Sequence, residues 1–189
     1  MDKDIKIWDP STGELWGTLK GHKKYITFIS WQPMHSNINC VHLVSSSHDG
    51  DIWIWNVKSF TCDKILTGHT DEVTKVIWGG EGLIYSASKD RTIWVWNASN
   101  CKLMRSLEGH GHWVNTLALS TDYVLRTSCF DHKHQEFKSR KDIQAYAEKW
   151  FKDALGEGHE RLVSGSDDFT LFLWEPFISK KPLKRMTGH

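Results

Sequence analysis

The sequence has few cysteines, few prolines and no long apolar run. Only four of its 189 residues are cysteine and only four are proline. The cysteines at 40, 62, 101 and 129 are too far apart to form a C-x-x-C pair, so they predict free thiols in a reducing compartment such as the cytosol or nucleus. No apolar run approaches the ~18 residues of a membrane span, which excludes a transmembrane helix and a membrane partner.

The sequence also has no excess of positive or negative charge. Lysine plus arginine number 24 and aspartate plus glutamate number 23, which gives a formal net charge of +1. This balance excludes a polybasic nucleic-acid arm or an acidic tail as the main feature. Charged residues at 25% and apolar residues at 39% are typical of a globular protein. The length predicts one domain or slightly more, at about 150 residues per domain.

What the sequence has in excess is tryptophan, with 11 residues beside four tyrosines. Several of these tryptophans belong to an internal repeat in which an aspartate precedes a tryptophan by six residues. The repeated pairs are Asp2 and Trp8, Asp49 and Trp55, Asp90 and Trp96, and Asp168 and Trp174. The three complete copies read SSSHDGDIWIWN (45–56), SASKDRTIWVWN (86–97) and SGSDDFTLFLWE (164–175).

A second mark, the dipeptide Gly-His, follows the same period. It falls at 21–22, 68–69, 109–110 and 188–189. The tryptophan steps are 47, 41 and 78 residues, and the histidine steps are 47, 41 and 79. Because two independent marks keep one spacing, the pattern indicates a structural repeat. Short β-branched and aromatic runs predict strands near 5–8, 52–55, 93–96 and 171–174, with a tight turn at each marker aspartate.

A unit of about 41 residues with Gly-His near one end and Trp-Asp, Trp-Asn or Trp-Glu near the other resembles the WD-repeat family. The resemblance implies an all-β fold built from four-stranded antiparallel blades of a β-propeller. We expect a partial ring of about three and a half blades with one helical insertion. The expected repeat units span about 1–20, 21–67, 68–108 and 109–187, with the insertion at about 127–160.

The third interval is longer than the second by 37 residues (78 − 41). The surplus lies between 118–127 and 161–166, which we interpret as the outer pair of strands of one blade. Apolar residues within the surplus follow the spacing of one helical face and predict an amphipathic helix over roughly 137–155. These residues are Ile143, Tyr146, Ala147, Trp150, Phe151 and Ala154.

Longer strings narrow the resemblance. EGHGHWVNTLALSTDYVLRT (108–127) and ERLVSGSDDFTLFLW (160–174) are similar to the Notchless family, WD-repeat proteins of eukaryotes associated with maturation of the large ribosomal subunit. Members of that family carry an insertion at the same place, an amino-terminal ubiquitin-like domain and an eight-bladed propeller. Because this chain holds three complete repeats and the tail of a fourth, we expect a fragment or a truncated gene model.

The resemblance also implies a function. It is that of a non-enzymatic scaffold in large (60S) ribosomal subunit biogenesis, in the nucleus and nucleolus, without a cofactor or small-molecule substrate. The implied partners are proteins of pre-60S particles, with ribosomal RNA as a further candidate. A midasin-type AAA ATPase is also implied, mainly through the ubiquitin-like domain. The alternative is a signalling adaptor that modulates the Notch pathway.

Each complete repeat carries a histidine, a serine, an aspartate and a tryptophan at corresponding positions. Such residues could suggest a hydrolase triad, but a nucleophile is needed once and the set occurs three times, with no G-x-S-x-G motif. The WD resemblance implies a structural hydrogen-bonded chain that ends at the indole. The serines two residues later remain alternatives, since alternation puts both on one face. The three tetrads are His22/Ser45/Asp49/Trp55, His69/Ser86/Asp90/Trp96 and His110/Ser164/Asp168/Trp174.

Four loop residues are candidate partner contacts. Tyr25 and Trp113 stand three residues after a marker histidine, and Arg91 and Phe169 directly follow a marker aspartate. In a propeller these positions gather on one rim, and aromatic residues and arginine are favoured at binding hot spots. The alternative is that they pack against neighbouring blades.

Two further stretches contain residues that could form a site. Cys129, His132 and His134 could ligate zinc, but three ligands without a distant fourth make a weak pattern, so no metal is predicted. The helix over 137–155 carries several lysines, which favours RNA contact in a ribosome-assembly factor. Acidic residues alternate with these lysines, as on the ordinary solvated face of a helix.

Overall fold

The computed structural model describes residues 2–130 and 136–188. These residues form four antiparallel sheets and two helices. The first sheet is a hairpin of β1 (Ile5–Trp8) and β2 (Leu15–Leu19). The other three sheets have four strands each, in sequence order, and we call them blades A, B and C. The predicted all-β architecture of about three and a half blades is therefore confirmed.

The strands of the blades are as follows. Blade A contains β3 (Ile26–Trp31), β4 (His42–Ser47), β5 (Ile52–Asn56) and β6 (Thr61–Leu66). Blade B contains β7 (Val73–Trp78), β8 (Leu83–Ser88), β9 (Ile93–Asn97) and β10 (Leu103–Leu107). Blade C contains β11 (Val114–Leu119), β12 (Leu162–Ser166), β13 (Thr170–Trp174) and β14 (Lys184–Thr187).

The strands predicted to end at the marker tryptophans are β1, β5, β9 and β13, and all four are present. Strands β5 and β9 are apolar on both faces because each lies inside a blade that packs between two neighbouring sheets. The turns that lead into them are closed by backbone hydrogen bonds. Gly50 N donates to Ser47 O at 3.2 Å and Arg91 N donates to Ser88 O at 3.2 Å.

The hydrophobic cores lie between neighbouring sheets. Between blades A and B the buried side chains include Val44, Ile54, Val76 and Trp96. Between blades B and C they include Tyr85, Val95, Leu117, Phe172 and Trp174. The first strands of the blades contact one another, β3 with β7 and β7 with β11, and so form the inner side of the arrangement.

The insertion joins the first two strands of blade C, β11 and β12. Our interpretation of these strands as the outer pair was wrong, since β11 contacts β7 of the neighbouring blade. Helix α2 (Arg140–Leu155) confirms the predicted amphipathic helix, which begins after the N-cap Ser139 and ends at Gly156. Helix α1 (Asp122–Thr127) was not predicted, and only the first two residues of the expected strand 118–127 belong to β11. Val124, which we predicted to lie in a strand, is instead a buried residue of helix α1.

Helix α2 reaches back to blade A. Phe151 stacks on His35, with ring centroids 4.3 Å apart, and Gln144 Nε2 donates to His35 O at 3.0 Å. Arg140 Nη1 donates to Asn39 Oδ1 at 3.2 Å. His35 and Asn39 belong to the β3–β4 loop, so the insertion of blade C spans blade B and contacts blade A. Within 2–130 and 136–188, no helix has the length and apolarity to span a bilayer.

The end of the insertion is held by a buried carboxyl group. Glu160 is 0% exposed, and its Oε1 accepts hydrogen bonds from Thr121 Oγ1 at 2.5 Å and from Gly80 N at 2.9 Å. Glu81 pairs with the same segment, since its Oε1 lies 2.7 Å from His159 Nδ1 and its Oε2 accepts from Glu160 N at 2.7 Å. Gly80 and Glu81 form the β7–β8 hairpin, so this cluster fastens the insertion to blade B.

Candidate functional site

The tetrad of blade B forms a continuous chain of polar contacts. Trp96 Nε1 donates to Ser86 Oγ at 3.0 Å, and Ser86 Oγ lies 2.9 Å from His69 Nε2. His69 Nδ1 lies 2.7 Å from Asp90 Oδ2. The chain runs from β9 through β8 to the loop before β7 and back to the β8–β9 turn. It therefore ties the loop of one blade to the turn of the same blade.

The other two tetrads have the same connectivity. In blade A, Ser45 Oγ lies 2.7 Å from His22 Nε2 and accepts from Trp55 Nε1 at 2.8 Å, and His22 Nδ1 lies 3.3 Å from Asp49 Oδ2. In blade C, Ser164 Oγ lies 2.7 Å from His110 Nε2 and accepts from Trp174 Nε1 at 2.8 Å. His110 Nδ1 lies 3.0 Å from Asp168 Oδ2. The structure thus brings each predicted set of four residues together.

The direction of the hydrogen bonds follows from the donor chemistry. An indole nitrogen only donates, so the serine hydroxyl accepts from tryptophan and gives its own proton to the Nε2 atom of histidine. The Nδ1–H of histidine then donates to the carboxylate. Burial lowers the pKa of His22, although Asp49 acts in the opposite direction, so this ring is neutral at neutral pH.

Each marker carboxylate also holds backbone groups. Asp90 Oδ2 accepts from Thr70 N at 3.2 Å, and its Oδ1 accepts from Thr92 N at 3.0 Å and Thr92 Oγ1 at 2.6 Å. Burial acts to raise the pKa of Asp90, but the bonds from His69 and Thr92 outweigh burial and lower that pKa to about 2. A carboxylate with four donors fixes both the turn and the loop in one geometry.

The tetrad serines are enclosed. Ser45, Ser86 and Ser164 are each 0% exposed, and each hydroxyl lies between a histidine and an indole. A substrate cannot reach these oxygens without opening a blade. The serines two residues later have a different role: Ser88 Oγ accepts from Asp90 N at 3.1 Å and Ser47 Oγ accepts from Asp49 N at 3.2 Å, which supports the turn.

The glycines of the three tetrad Gly-His marks, at 21, 68 and 109, have a steric cause that sequence reasoning missed. An aromatic ring two residues before the marker tryptophan lies against each of them, and a Cβ on Gly68 would come within 2.4 Å of the Trp94 ring. The same ring stacks on His69, with centroids 4.4 Å apart. The sequence does contain a signal for this packing, since an aromatic residue recurs at 53, 94 and 172, two residues before each marker tryptophan. Glycine therefore lets the ring cover the imidazole.

The loop rim contains a polar network that crosses the blades. Glu72 of blade B is 6% exposed; one of its oxygens lies 2.9 Å from His48 Nδ1 and 2.7 Å from Lys89 Nζ, and the other accepts from Tyr25 at 3.2 Å. Lys89 Nζ also lies 4.6 Å from the ring centroid of Trp113 in blade C. Hence Tyr25 and Trp113, two of the four candidate contacts, also take part in contacts between blades.

Arg91 and Phe169 lie at the two corresponding turns of blades B and C. Both are exposed, and Phe169 is 73% exposed. Both have a positive φ, +72° for Arg91 and +60° for Phe169. Trp113 is 41% exposed and Tyr25 is half-buried. The four candidates thus divide into two residues within the network and two outside it.

The zinc-type pattern falls partly beyond the described residues. His132 and His134 lie outside them, as does His189 of the last Gly-His mark. Cys129 is buried, with its Sγ 3.6 Å from Met34 Sδ. Among residues 2–130 and 136–188, no three His, Cys, Asp or Glu side chains are grouped to hold a metal ion.

The tetrad of blade A differs from the others at one position. Asp51 stands where blades B and C have Thr92 and Thr170, whose hydroxyls donate to the marker carboxylate at 2.6 Å. Burial and the neighbouring charge of Asp49 raise the pKa of Asp51. Blade A therefore replaces a hydrogen-bond donor with a like charge, and its His22–Asp49 contact is the longest of the three at 3.3 Å.

We expect Asp51→Thr to raise the free energy of unfolding by about 1 kcal/mol, because it adds a hydroxyl donor and removes a repulsion. Chemical denaturation at pH 7 measures this change. The reverse substitution in blade B, Thr92→Asp, is the matched control and should lower stability by a similar amount. Equal stability of both variants and the parent would contradict this explanation.

Comparisons with known proteins agree with this architecture. The model of the family "WD domain, G-beta repeat" matches residues 13–56 and 60–97. Both matched segments precede the helices. The second ends at the marker Trp-Asn of blade B, so it includes a complete tetrad turn.

The chain is similar to several curated proteins. It is 47% identical over 186 residues to Protein Notchless of Drosophila melanogaster and 53% identical over 190 residues to Notchless protein homolog of Arabidopsis thaliana. It is 44% identical over 237 aligned residues to Ribosome assembly protein 4 of Saccharomyces cerevisiae. The matches cover 95%, 98% and 100% of this chain, which spans 38%, 39% and 46% of those relatives.

Proposed function

We propose that this chain, a WD-repeat homologue of the Notchless proteins, works as a non-enzymatic scaffold in assembly of the large (60S) ribosomal subunit. The observation that carries the proposal is the 44% identity, over the whole chain, to a protein named Ribosome assembly protein 4. The geometry supports a scaffold, because the histidine, serine and aspartate side chains that could do chemistry are consumed by the tetrads. We accordingly propose a location in the nucleus and nucleolus.

The proposed binding surface is the loop rim. Strand backbones pair within the blades and their side chains pack between them, so contacts to a partner must come from loops. Tyr25, Arg91, Trp113 and Phe169 offer aromatic or guanidinium surface there. We propose proteins of pre-60S particles as the partners, with ribosomal RNA as a further candidate, and a midasin-type AAA ATPase as a partner of the whole protein.

Trp113→Ala combined with Phe169→Ala in the full-length protein should reduce co-purification of pre-60S particles by about thirtyfold or more. The lower limit of thirtyfold corresponds to one hot-spot truncation, which typically costs about 2 kcal/mol or more in binding free energy. The measurement is the yield of large-subunit precursors on affinity-purified protein, with circular dichroism to verify folding.

A charge-reversal variant gives the competing result. Lys138, Lys141 and Lys149 lie on the exposed side of the insertion. Unchanged co-purification in the rim variant, together with loss on reversal of these three lysines, would move the binding site to the insertion. Loss in the rim variant alone would support the rim.

A further inference from the structure

The residue after the marker aspartate is left-handed in all three blades. Its φ is +88° at Gly50, +72° at Arg91 and +60° at Phe169. This conformation is strained for any residue that has a Cβ and unstrained for glycine. Gly50 therefore shows what the turn itself requires, and Arg91 and Phe169 each keep a large side chain against the preference of the backbone.

Two other residues with a positive φ, Phe60 and Cys101, have a packing reason for it. Phe60 has φ +56°, but its ring fills the space beside Gly17, where a Cβ would come within 2.4 Å of it. Cys101 has φ +59° and packs on the core between blades A and B. In both cases the side chain gains contacts that offset the strain.

Arg91 and Phe169 have no such contacts. Both are exposed, and within 2–130 and 136–188 neither side chain makes a hydrogen bond, an ion pair or a ring contact. The two turns belong to neighbouring blades, which Lys89 and Trp113 bridge on the same rim. Because no contact within the described residues offsets the backbone strain at Arg91 and Phe169, a contact with a partner is the remaining explanation, and backbone strain often occurs at binding sites.

We propose that Arg91 and Phe169 form a two-point docking element for a peptide segment that presents a carboxylate to Arg91 and an apolar side chain to Phe169. The element deepens the proposed scaffold function, on which it rests for the rim as the binding face. The charges around it favour a peptide over RNA. Of the two cations at the turn of blade B, Lys89 is already paired with Glu72 and Arg91 is free among the described residues. One guanidinium pairs with one carboxylate, whereas binding an RNA backbone takes several free cations.

The stability arm of the test uses variants of the full-length protein. Phe169→Gly and Arg91→Gly should each raise Tm by about 2–4 °C, because glycine relieves the strain. Phe169→Ala removes the ring but keeps the Cβ, so its Tm should stay close to that of the parent. Phe60→Gly is the matched control and should lower Tm, since its ring packs on Gly17. A Tm that falls in both Phe169→Gly and Arg91→Gly would overturn the proposal.

The binding arm uses a phage-displayed library of random twelve-residue peptides, panned against the full-length protein. The enriched peptides should contain acidic residues beside an apolar one, and their affinity should fall at least tenfold for both Phe169→Ala and Phe169→Gly. Peptides that bind these variants as well as the parent, peptides rich in lysine and arginine, or no enrichment at all would overturn the proposal.

Binding of a labelled twelve-nucleotide uridine RNA tests whether the ligand of these two residues is RNA instead of a peptide. Binding of this RNA that Arg91→Gly and Phe169→Gly abolish would overturn the peptide assignment. The peptide result is also independent of the ribosomal one. If Phe169→Ala abolishes peptide binding while pre-60S particles still co-purify, the docking element stands and the rim is not the site that holds the particle.

Discussion

Asp90→Ala in the full-length protein is expected to lower the free energy of unfolding by about 3 kcal/mol, because each buried donor left without an acceptor costs about 1–3 kcal/mol. The side chain of Asp90 is 8% exposed and accepts from His69 Nδ1, Thr70 N, Thr92 N and Thr92 Oγ1. Alanine would leave these four donors without an acceptor. Urea denaturation at pH 7 gives the value, and unchanged stability would contradict the structural role of the tetrad.

The same variant has a defined pH dependence. The folded pKa of Asp90 is about 2, below its ordinary value of 3.8. The ionised carboxylate therefore stabilises the fold above pH 3.8, and this contribution of about 2 kcal/mol is lost as pH falls from 3.8 to 2. The stability difference between the parent and Asp90→Ala should be constant from pH 7 to 4 and should shrink below that.

Glu160→Ala should cost about 3 kcal/mol, because Thr121 Oγ1 and Gly80 N lose their buried acceptor. Glu160→Gln keeps an acceptor oxygen and is the matched control, with a much smaller expected loss. The two variants separate the hydrogen bonds from the charge, and both should be measured by urea denaturation. A loss in Glu160→Gln as large as in Glu160→Ala would contradict the assignment of the stabilisation to the acceptor.

The pH dependence of Glu160 has the opposite sign to that of Asp90. Burial raises the pKa of Glu160, although the bonds from Thr121 and the backbone act against burial. The neutral carboxyl group thus contributes its full stability below the ordinary pKa of 4.5, and this contribution is lost as pH rises through the higher folded pKa. The parent should therefore lose stability relative to Glu160→Gln as the pH rises from 4.5 through the raised folded pKa of Glu160. A difference that does not change with pH would show that the buried group stays ionised.

The repeat marks were enough to predict one strand in each of the four sheets. The six-residue step from aspartate to tryptophan is the length of a tight turn plus one short strand, so it places β1, β5, β9 and β13 directly. Residues that recur in every blade are visible in one sequence because the chain repeats the same environment. Individual strands could therefore be predicted from the residues, and their arrangement in propeller blades from the resemblance to the WD-repeat family.

The insertion was harder to predict because it occurs once. Helix α2 has a helical apolar period, but α1 has only six residues, too few to show a period. Nothing in the sequence around Glu160 indicates burial, which results from the approach of Thr121 and of the β7–β8 hairpin. Contacts between residues distant in the sequence leave no local pattern.

The rim shows the same limit. The positions of Tyr25 and Trp113 were clear from the Gly-His marks, but their link through Glu72 and Lys89 depends on side chains from neighbouring blades. The backbone strain at Phe169 could not be predicted either, because the residue type does not determine the φ angle. The positions of the loops could be predicted from the sequence. The contacts that individual loop residues make between blades could not.

Sedimentation of the tagged full-length protein through a sucrose gradient of nuclear extract tests the central claim most directly. A scaffold of large-subunit assembly should migrate with pre-60S particles and should shift to the top of the gradient when those particles are dissociated. Migration of the protein at its own monomeric mass in undissociated extract, or with a receptor tail rather than with pre-60S particles, would contradict the account.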